Sequence, residues 1–176
     1  MRSREFNKPA REIIVIANNI RSIQNVGSIL RTSDCLGINR VYATGYTPNL
    51  DYRTDGSNLP LLPHVREKLA RELHRAALGA EVTVPFSYHT NVDQLLCKLK
   101  NSGYTLVGLE QAPNSIALPD YQPPIKVALL LGEEVHGLTP ELMSQCDQLL
   151  EIPMFGNKES YNVAVATGIA LYSLAL

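Results

Sequence analysis

Short runs of β-branched and other apolar residues, at 13–17, 41–44, 82–84, 105–109, 127–131 and 149–152, alternate along the chain with stretches of helical periodicity. A run of this length without polar alternation suits a strand buried on both faces, and such strands belong to parallel sheets covered on both sides. The helical stretches fall at 26–36, 64–78, 92–100, 140–146 and 161–174. In the first, Val26, Ile29 and Leu30 lie at i, i+3 and i+4, with Gly37 as the stop. In the second, Val65, Leu69, Leu73 and Ala76 form the buried side before Gly79. Parallel strands need crossover connections, which helices normally supply. The expected fold is therefore α/β, a mostly parallel sheet flanked by helices.

Each element in this alternation needs the others to bury its apolar face, so residues 1–176 read as one domain. Two stretches, 46–60, rich in Pro, Gly, Asn and Asp, and 111–124, with four prolines, read as surface excursions near a site rather than as linkers. A composition that is 45% hydrophobic and 19% charged suits a soluble globular protein, and no apolar run approaches the roughly 20 residues of a membrane span. The N-terminal residues lack the pattern of a secretory signal, so a cytoplasmic location is expected. Cys35, Cys97 and Cys146 are widely spaced and form no Cys/His cluster, which predicts buried free thiols and neither a disulfide frame nor a metal site. A net charge of −1 gives no global basic field, so any nucleic-acid contact must rest on a local patch.

Three segments concentrate polar residues where chemistry is possible. Residues 18–31, NNIRSIQNVGSILR, follow a strand and open a helix. Asn25 is a candidate N-cap, and Gly27 and Arg31 share a face, which places a guanidinium over bare backbone with room for a phosphate or ribose. A capped helix with one solvated arginine accounts for the same pattern. Residues 129–138, LLLGEEVHGL, run from an apolar strand through Gly132 into Glu133 and Glu134. Glycine at a strand's C-terminal end lets a ligand approach the backbone, and ligands of open α/β sheets bind at that edge. Neither GxGxxG nor GxxxxGK[ST] is present, and paired carboxylates repel phosphates, so a dinucleotide site or P-loop is disfavoured. A solvated acidic turn is the other explanation. Residues 151–176 carry Ser160 as a candidate cap and Asn162 at the mouth of a nearly all-apolar helix, where an unsatisfied polar group costs about 1–3 kcal/mol. Either the backbone satisfies them or they face a ligand. His64, Lys68, Arg71 and Arg75 form a cationic stripe with Glu67 and Glu72 off it; it suits a phosphate backbone or is simply solvated.

Taken in order, these segments resemble the three motifs of the SpoU, or TrmH-like, branch of the SPOUT RNA methyltransferases. The first is similar to Asn-x-Gly-(Ser/Asn)-(Ile/x)-x-Arg and the second to Leu-Gly-x-Glu-x-x-Gly-Leu. The third is similar to Ile-Pro-Met-x-Gly followed by Ser-Leu-Asn-Val-x-Val-Ala, and ALGAE at 77–81 resembles an intervening family segment. Tyr161 stands where leucine is usual, and the stretch 46–75 is longer than in compact members.

The resemblance implies a C-terminal trefoil knot, which general folding rules would not predict. It also implies S-adenosylmethionine held by the backbone around Leu109, Gly132, Ile152 and Tyr161, and a site at the reacting ribose made by Asn25, Arg31, Glu134, Ser160 and Asn162. It implies a homodimer in which one subunit's arginine reaches the other's cofactor, with the apolar C-terminal helix a candidate interface. Arg21, Lys68, Arg71 and Arg75 are the expected RNA contacts, with no separate RNA-binding domain. A guanidinium keeps its proton to about pH 12 or beyond, so Arg31 is expected to bind phosphate and stabilise a developing alkoxide, not to act as base. The implied reaction is 2′-O-methylation of RNA, tRNA rather than rRNA. The alternatives are a SPOUT enzyme acting on a tRNA base nitrogen and a non-catalytic RNA-binding module.

Overall fold

Residues 11–49 and 62–176 are described by a computed structural model. Strand β1 (Glu12–Asn18) divides the core: Ile13, Val15 and Ala17 point into one apolar cluster, Ile14 and Ile16 into another. This two-sided burial follows from the period-2 alternation of a strand with layers on both faces. Helices α1 (Ile23–Cys35), α2 (Pro63–Ala77) and α6 (Val163–Ala175) contribute to the first cluster, while α4 (Val92–Asn101) and α5 (Pro140–Gln145) contribute to the second.

The remaining strands are β2 (Arg40–Thr44), β3 (Phe86–His89), β4 (Thr105–Leu109), β5 (Ile116–Ala117), β6 (Lys126–Leu131) and β7 (Gln148–Glu151). All pair in parallel in the order β3-β2-β1-β6-β4-β7-β5. Two late strands thus enter between earlier ones, β6 between β1 and β4, and β7 between β4 and β5. Strands β6, β4 and β7 are neighbours, so their connections leave from one stretch of the C-terminal edge, the place where open α/β sheets leave room for ligands.

Five expectations need correction. The run 82–84 is not a strand: Ala80–Thr83 forms a helical turn, α3, in which Ala80 and Val84 are buried and Val82 faces solvent. The strand begins after Pro85, whose carbonyl accepts from Val41. Helix α1 starts earlier than expected, because Ser22 caps it by accepting from the Asn25 amide at 3.3 Å. Helix α6 is capped by Asn162, which accepts from Ala164 at 2.9 Å and Val165 at 3.4 Å, so Ser160 is not the cap. Nor is α6 buried all round: Thr167, Ala170, Leu171 and Leu174 face the core, whereas Val165, Ile169 and Tyr172 are exposed. Finally, Cys35 and Cys97 are exposed thiols and only Cys146 is half-buried; burial pushes its thiol up to about 11.

Of the two excursions, the second carries the short edge strand β5; the first lies outside the described residues from residue 50 to its end at 60. Among the described residues no helix is long and apolar enough to cross a membrane.

Gly27 has a packing role that the sequence pattern hides. It is buried where α1 crosses α2, and a Cβ there would lie 2.6 Å from the Ala76 Cβ and 3.1 Å from the Ala77 nitrogen. The bare backbone is therefore filled by a helix and is not open to a phosphate. Gly27→Ala is expected to destabilise the chain by about 1–3 kcal/mol through overpacking. Gly168→Ala, whose Cβ would meet only the Thr32 Cγ2 at an ordinary 3.7 Å, is expected to be neutral or to stabilise by up to about 1 kcal/mol. Urea unfolding of the two variants side by side measures the contrast.

Candidate active site

The loop leaving β6 folds back on itself. Glu133 and Gly137 exchange backbone hydrogen bonds of 3.2 and 3.1 Å, and the Glu110 carboxylate accepts from the Leu138 amide at 2.7 Å and the Gln111 amide at 3.0 Å. Both loop glycines are demanded by this closure. A Cβ on Gly132 would sit 2.2 Å from the Gly137 carbonyl carbon. One on Gly137, whose φ is +68°, would sit 2.0 Å from a Glu110 oxygen. Gly132 thus serves the turn itself and was expected only to admit a ligand.

Between this loop, the ends of β4 and β7 and the start of α6 lies a cleft of about 300 Å³. The four residues expected around the cofactor, Leu109, Gly132, Ile152 and Tyr161, all line it, together with Glu134 and Ser160. Tyr161 presents a half-open ring at the wall. Leu109, Leu131, Leu150, Ile152 and Val163 make an apolar floor, while Glu110, Glu133, Glu134, Glu151 and Glu159 make the rim acidic. No lysine or arginine is among the described residues lining the cleft.

At the lip, three expected site residues form one chain of hydrogen bonds. Asn162 Nδ2 donates to Asn25 Oδ1 at 3.2 Å, and Asn25 Nδ2 donates to Glu134 Oε1 at 3.1 Å. Glu134 also accepts from the Arg21 and Ser22 amides, each at 3.1 Å. Because Ser22 takes over the capping of α1, the Asn25 side chain is free for this bridge. Partial burial pushes the Glu134 carboxyl up, but the two backbone amides and the Asn25 amide outweigh it and hold the group below the usual carboxylate range.

The expected cations are placed differently. Arg21 stands beside the lip, its guanidinium 5.6 Å from the Tyr46 ring centroid. Arg31 is exposed on α1 and does not line the cleft of its own chain. Lys68, Arg71 and Arg75 lie exposed on α2 away from the cleft lining, with His64 in the same stripe. Lys68 pairs with Glu72 and Arg71 with Glu67, each at 3.9 Å, so the two glutamates do engage the stripe. Such exposed i,i+4 pairs are worth only about 0.3–0.5 kcal/mol and leave the cations available.

Sequence reasoning missed Glu110, Tyr46 and the pairing of Glu133 with His136. The Tyr46 hydroxyl donates to Glu133, whose other oxygen meets His136 Nδ1; both contacts hold the Glu133 carboxyl low, and the Glu133 hydrogen bond, with some burial, holds the Tyr46 phenol high. A single glutamate after a strand carries no signal of its own, and Tyr46 lies 87 residues from its partner.

Residues 56–172 match the SpoU rRNA Methylase family. The chain is 28% identical over 167 residues to the tRNA (guanosine(18)-2′-O)-methyltransferase of Aquifex aeolicus, covering 95% of this chain and 70% of that one. It is 32% identical over 161 residues to the 23S rRNA (guanosine-2′-O-)-methyltransferase RlmB of Bordetella pertussis, covering 91% and 58%. The fold superimposes on the AdoMet-bound rRNA methyltransferase from Sinorhizobium meliloti with a TM-score of 0.77 at 26% identity, covering 93% of this chain and 55% of that one. The α/β sheet and the motifs that close its edge define a SpoU-type domain, and the chain belongs to the SpoU methyltransferase family. It spans little more than half the length of the Bordetella and Sinorhizobium proteins.

The Glu134 bridge has a pH signature. A carboxyl lowered in the native state adds stability above its unfolded value, and that stability is lost as pH falls through the native value. Glu134→Gln is therefore expected to lower stability near pH 7 by about 0.3–1 kcal/mol, the usual worth of an exposed anion at a helix N-terminus. The difference should vanish once pH falls below the lowered native value. Urea midpoints of both proteins across pH 3–7 test it.

Proposed function

We propose that the chain methylates a ribose 2′-hydroxyl of RNA with S-adenosylmethionine as donor, residues 1–176 acting as one SpoU-type domain. The observation that carries this is the convergence of Leu109, Gly132, Ile152 and Tyr161 on one cleft whose rim is acidic and whose floor is apolar. A sulfonium donor with an ammonium group is cationic at one end and a flat purine at the other. Five glutamates around the rim suit the first and the leucine and isoleucine floor suits the second. The same rim repels a phosphate, so the RNA backbone has to be met outside it, where Arg21 stands. When bound, the donor supplies an electrophilic methyl carbon. The chain's residues hold the ribose against it: Asn25, Glu134 and Asn162 form a fixed polar lip, and Ser160 lines the cleft beside them. Positioning of this kind removes roughly 7–11 kcal/mol from a bimolecular barrier.

We also propose a homodimer. Arg31 is outside its own chain's cleft, and the exposed Val165, Ile169 and Tyr172 of α6 give an apolar face beside α1 for a second copy to cover. Arg31 would then serve the neighbouring cleft. The late insertion of β6 and β7 between earlier strands, with Glu110 clamping the loop after β6, supports the trefoil threading that the resemblance implies. Among RNAs we propose tRNA, with the exposed α2 stripe as a second contact to its backbone.

Total RNA from a strain lacking the gene, incubated with labelled donor and the full chain, is expected to yield alkali-resistant labelled dinucleotides. A base methyltransferase would leave none, and an RNA-binding module would not bind the donor in calorimetry. Arg31→Ala is expected to lower turnover about 10²–10³-fold, the typical cost of one charge-stabilising donor. Mixing Arg31→Ala with Asn162→Ala subunits should then restore activity above either parent, since a mixed dimer keeps one intact composite site. A mixture no better than its parents would place Arg31 in its own cleft.

A further inference from the structure

Three groups at the outer rim of the cleft form a connected set with no part in the lip. Glu133 is fixed by its paired backbone bonds with Gly137, and its carboxylate lies between the Tyr46 hydroxyl and His136 Nδ1. The Arg21 guanidinium lies over the Tyr46 ring. His136 lines the cleft, and its side chain is 81% exposed, so the ring is open to both the cleft and water. An imidazole that donates through Nδ1 to a carboxylate carries its lone pair on Nε2, and the carboxylate fixes the tautomer and stabilises the imidazolium once formed.

Methyl transfer from a sulfonium to a hydroxyl requires a proton acceptor. Arg31, a guanidinium, cannot accept one near neutral pH. Glu134 already accepts from the Arg21, Ser22 and Asn25 donors, which hold it below the usual carboxylate range and so make it a weak base. Glu110 is occupied by the Leu138 and Gln111 amides. Of the other titratable groups lining the cleft, Glu151 and Glu159 are carboxylates, intrinsically weaker bases than imidazole, and Tyr161 carries a phenol, a class of group that is protonated near neutral pH.

We propose that His136 is the general base of the reaction, with Glu133 and Tyr46 as positioning residues; this rests on the 2′-O-methyltransferase function proposed above. The ribose oxygen forms its bond to the methyl carbon as the sulfur–carbon pair returns to sulfur, and the hydroxyl proton passes to Nε2 of His136. The exposed imidazolium then releases that proton to water, which restores the base.

The full chain is assayed with S-adenosylmethionine and total RNA from a strain lacking the gene. His136→Gln is expected to lose about 10²-fold or more in turnover at saturating donor and RNA, with the acidic limb of its pH–rate profile flattened. Glu133→Gln is expected to lose about tenfold and to keep that limb. In the protein without donor, ¹⁵N-histidine spectra assigned with His136→Gln should show neutral His136 protonated at Nδ1, and Glu133→Gln should mix the two tautomers. Turnover of His136→Gln within about threefold of wild type overturns the proposal and leaves the methyltransferase function standing. A neutral His136 protonated at Nε2 overturns it whatever the rates. Wild-type protein that labels no RNA overturns both.

Discussion

The Glu110 carboxylate determines where everything else at the sheet edge can be. It leaves the end of β4, accepts from the Leu138 amide across the cleft, and so fastens the loop after β6 to the neighbouring strand. Hydrogen bonds to a charged acceptor contribute roughly 1.5–3 kcal/mol each, enough to hold a short loop against the entropy of its own freedom. The clamp comes so close that only glycine fits at 137, and the turn it closes admits only glycine at 132. With the backbone fixed in this way, the adjacent Glu133 and Glu134 side chains diverge. Glu134 goes to the start of α1, while Glu133 goes to Tyr46 and His136.

Glu134 explains why three segments so far apart in the chain work as one. It is 109 residues from Asn25, which is in turn 137 residues from Asn162, and two side-chain amides span both gaps. Charge is divided accordingly: carboxylates gather around the cleft, while Arg21, Arg31 and the α2 stripe stay outside its lining. A cationic donor and a polyanionic substrate make opposite electrostatic demands, and a site that serves both must keep them on different sides of its rim.

Fold class could be read from the sequence because five of the six apolar runs are strands buried on both faces, and such runs leave few alternatives. The exception, 82–84, shows the limit: three β-branched or apolar residues suit a helical turn equally well when Ala80 and Val84 are the pair that packs and Pro85 delays the strand. Caps were misplaced for a related reason. Ser22 and Asn25 are both good caps, as are Ser160 and Asn162, and the choice is made by a partner elsewhere: Asn25 goes to Glu134. Candidate cofactor residues were legible as motif positions, but the reasons for the glycines were not. Gly27 answers to Ala76 on another helix and Gly132 to Gly137, and neither contact has a period or spacing to read. Glu110 and Tyr46 were invisible for the same reason, since each acts only through a distant partner.

One asymmetry of the single chain organises what lies beyond it. The cleft, the lip and the His136 cluster are complete within one copy, whereas Arg31 points out from α1. The next residue, Thr32, lies against Gly168 of α6, so Arg31 emerges beside the helix whose outer face shows Val165, Ile169 and Tyr172 to solvent. An apolar helix face left wet gains nothing, since the exposed part of each such side chain forgoes its share of the roughly 1.5–3 kcal/mol that full burial of an apolar side chain contributes. In the proposed dimer, covering that face carries Arg31 along with it. The surface that needs a partner and the cation that needs a site are thus adjacent on the same pair of helices, and a single association serves both.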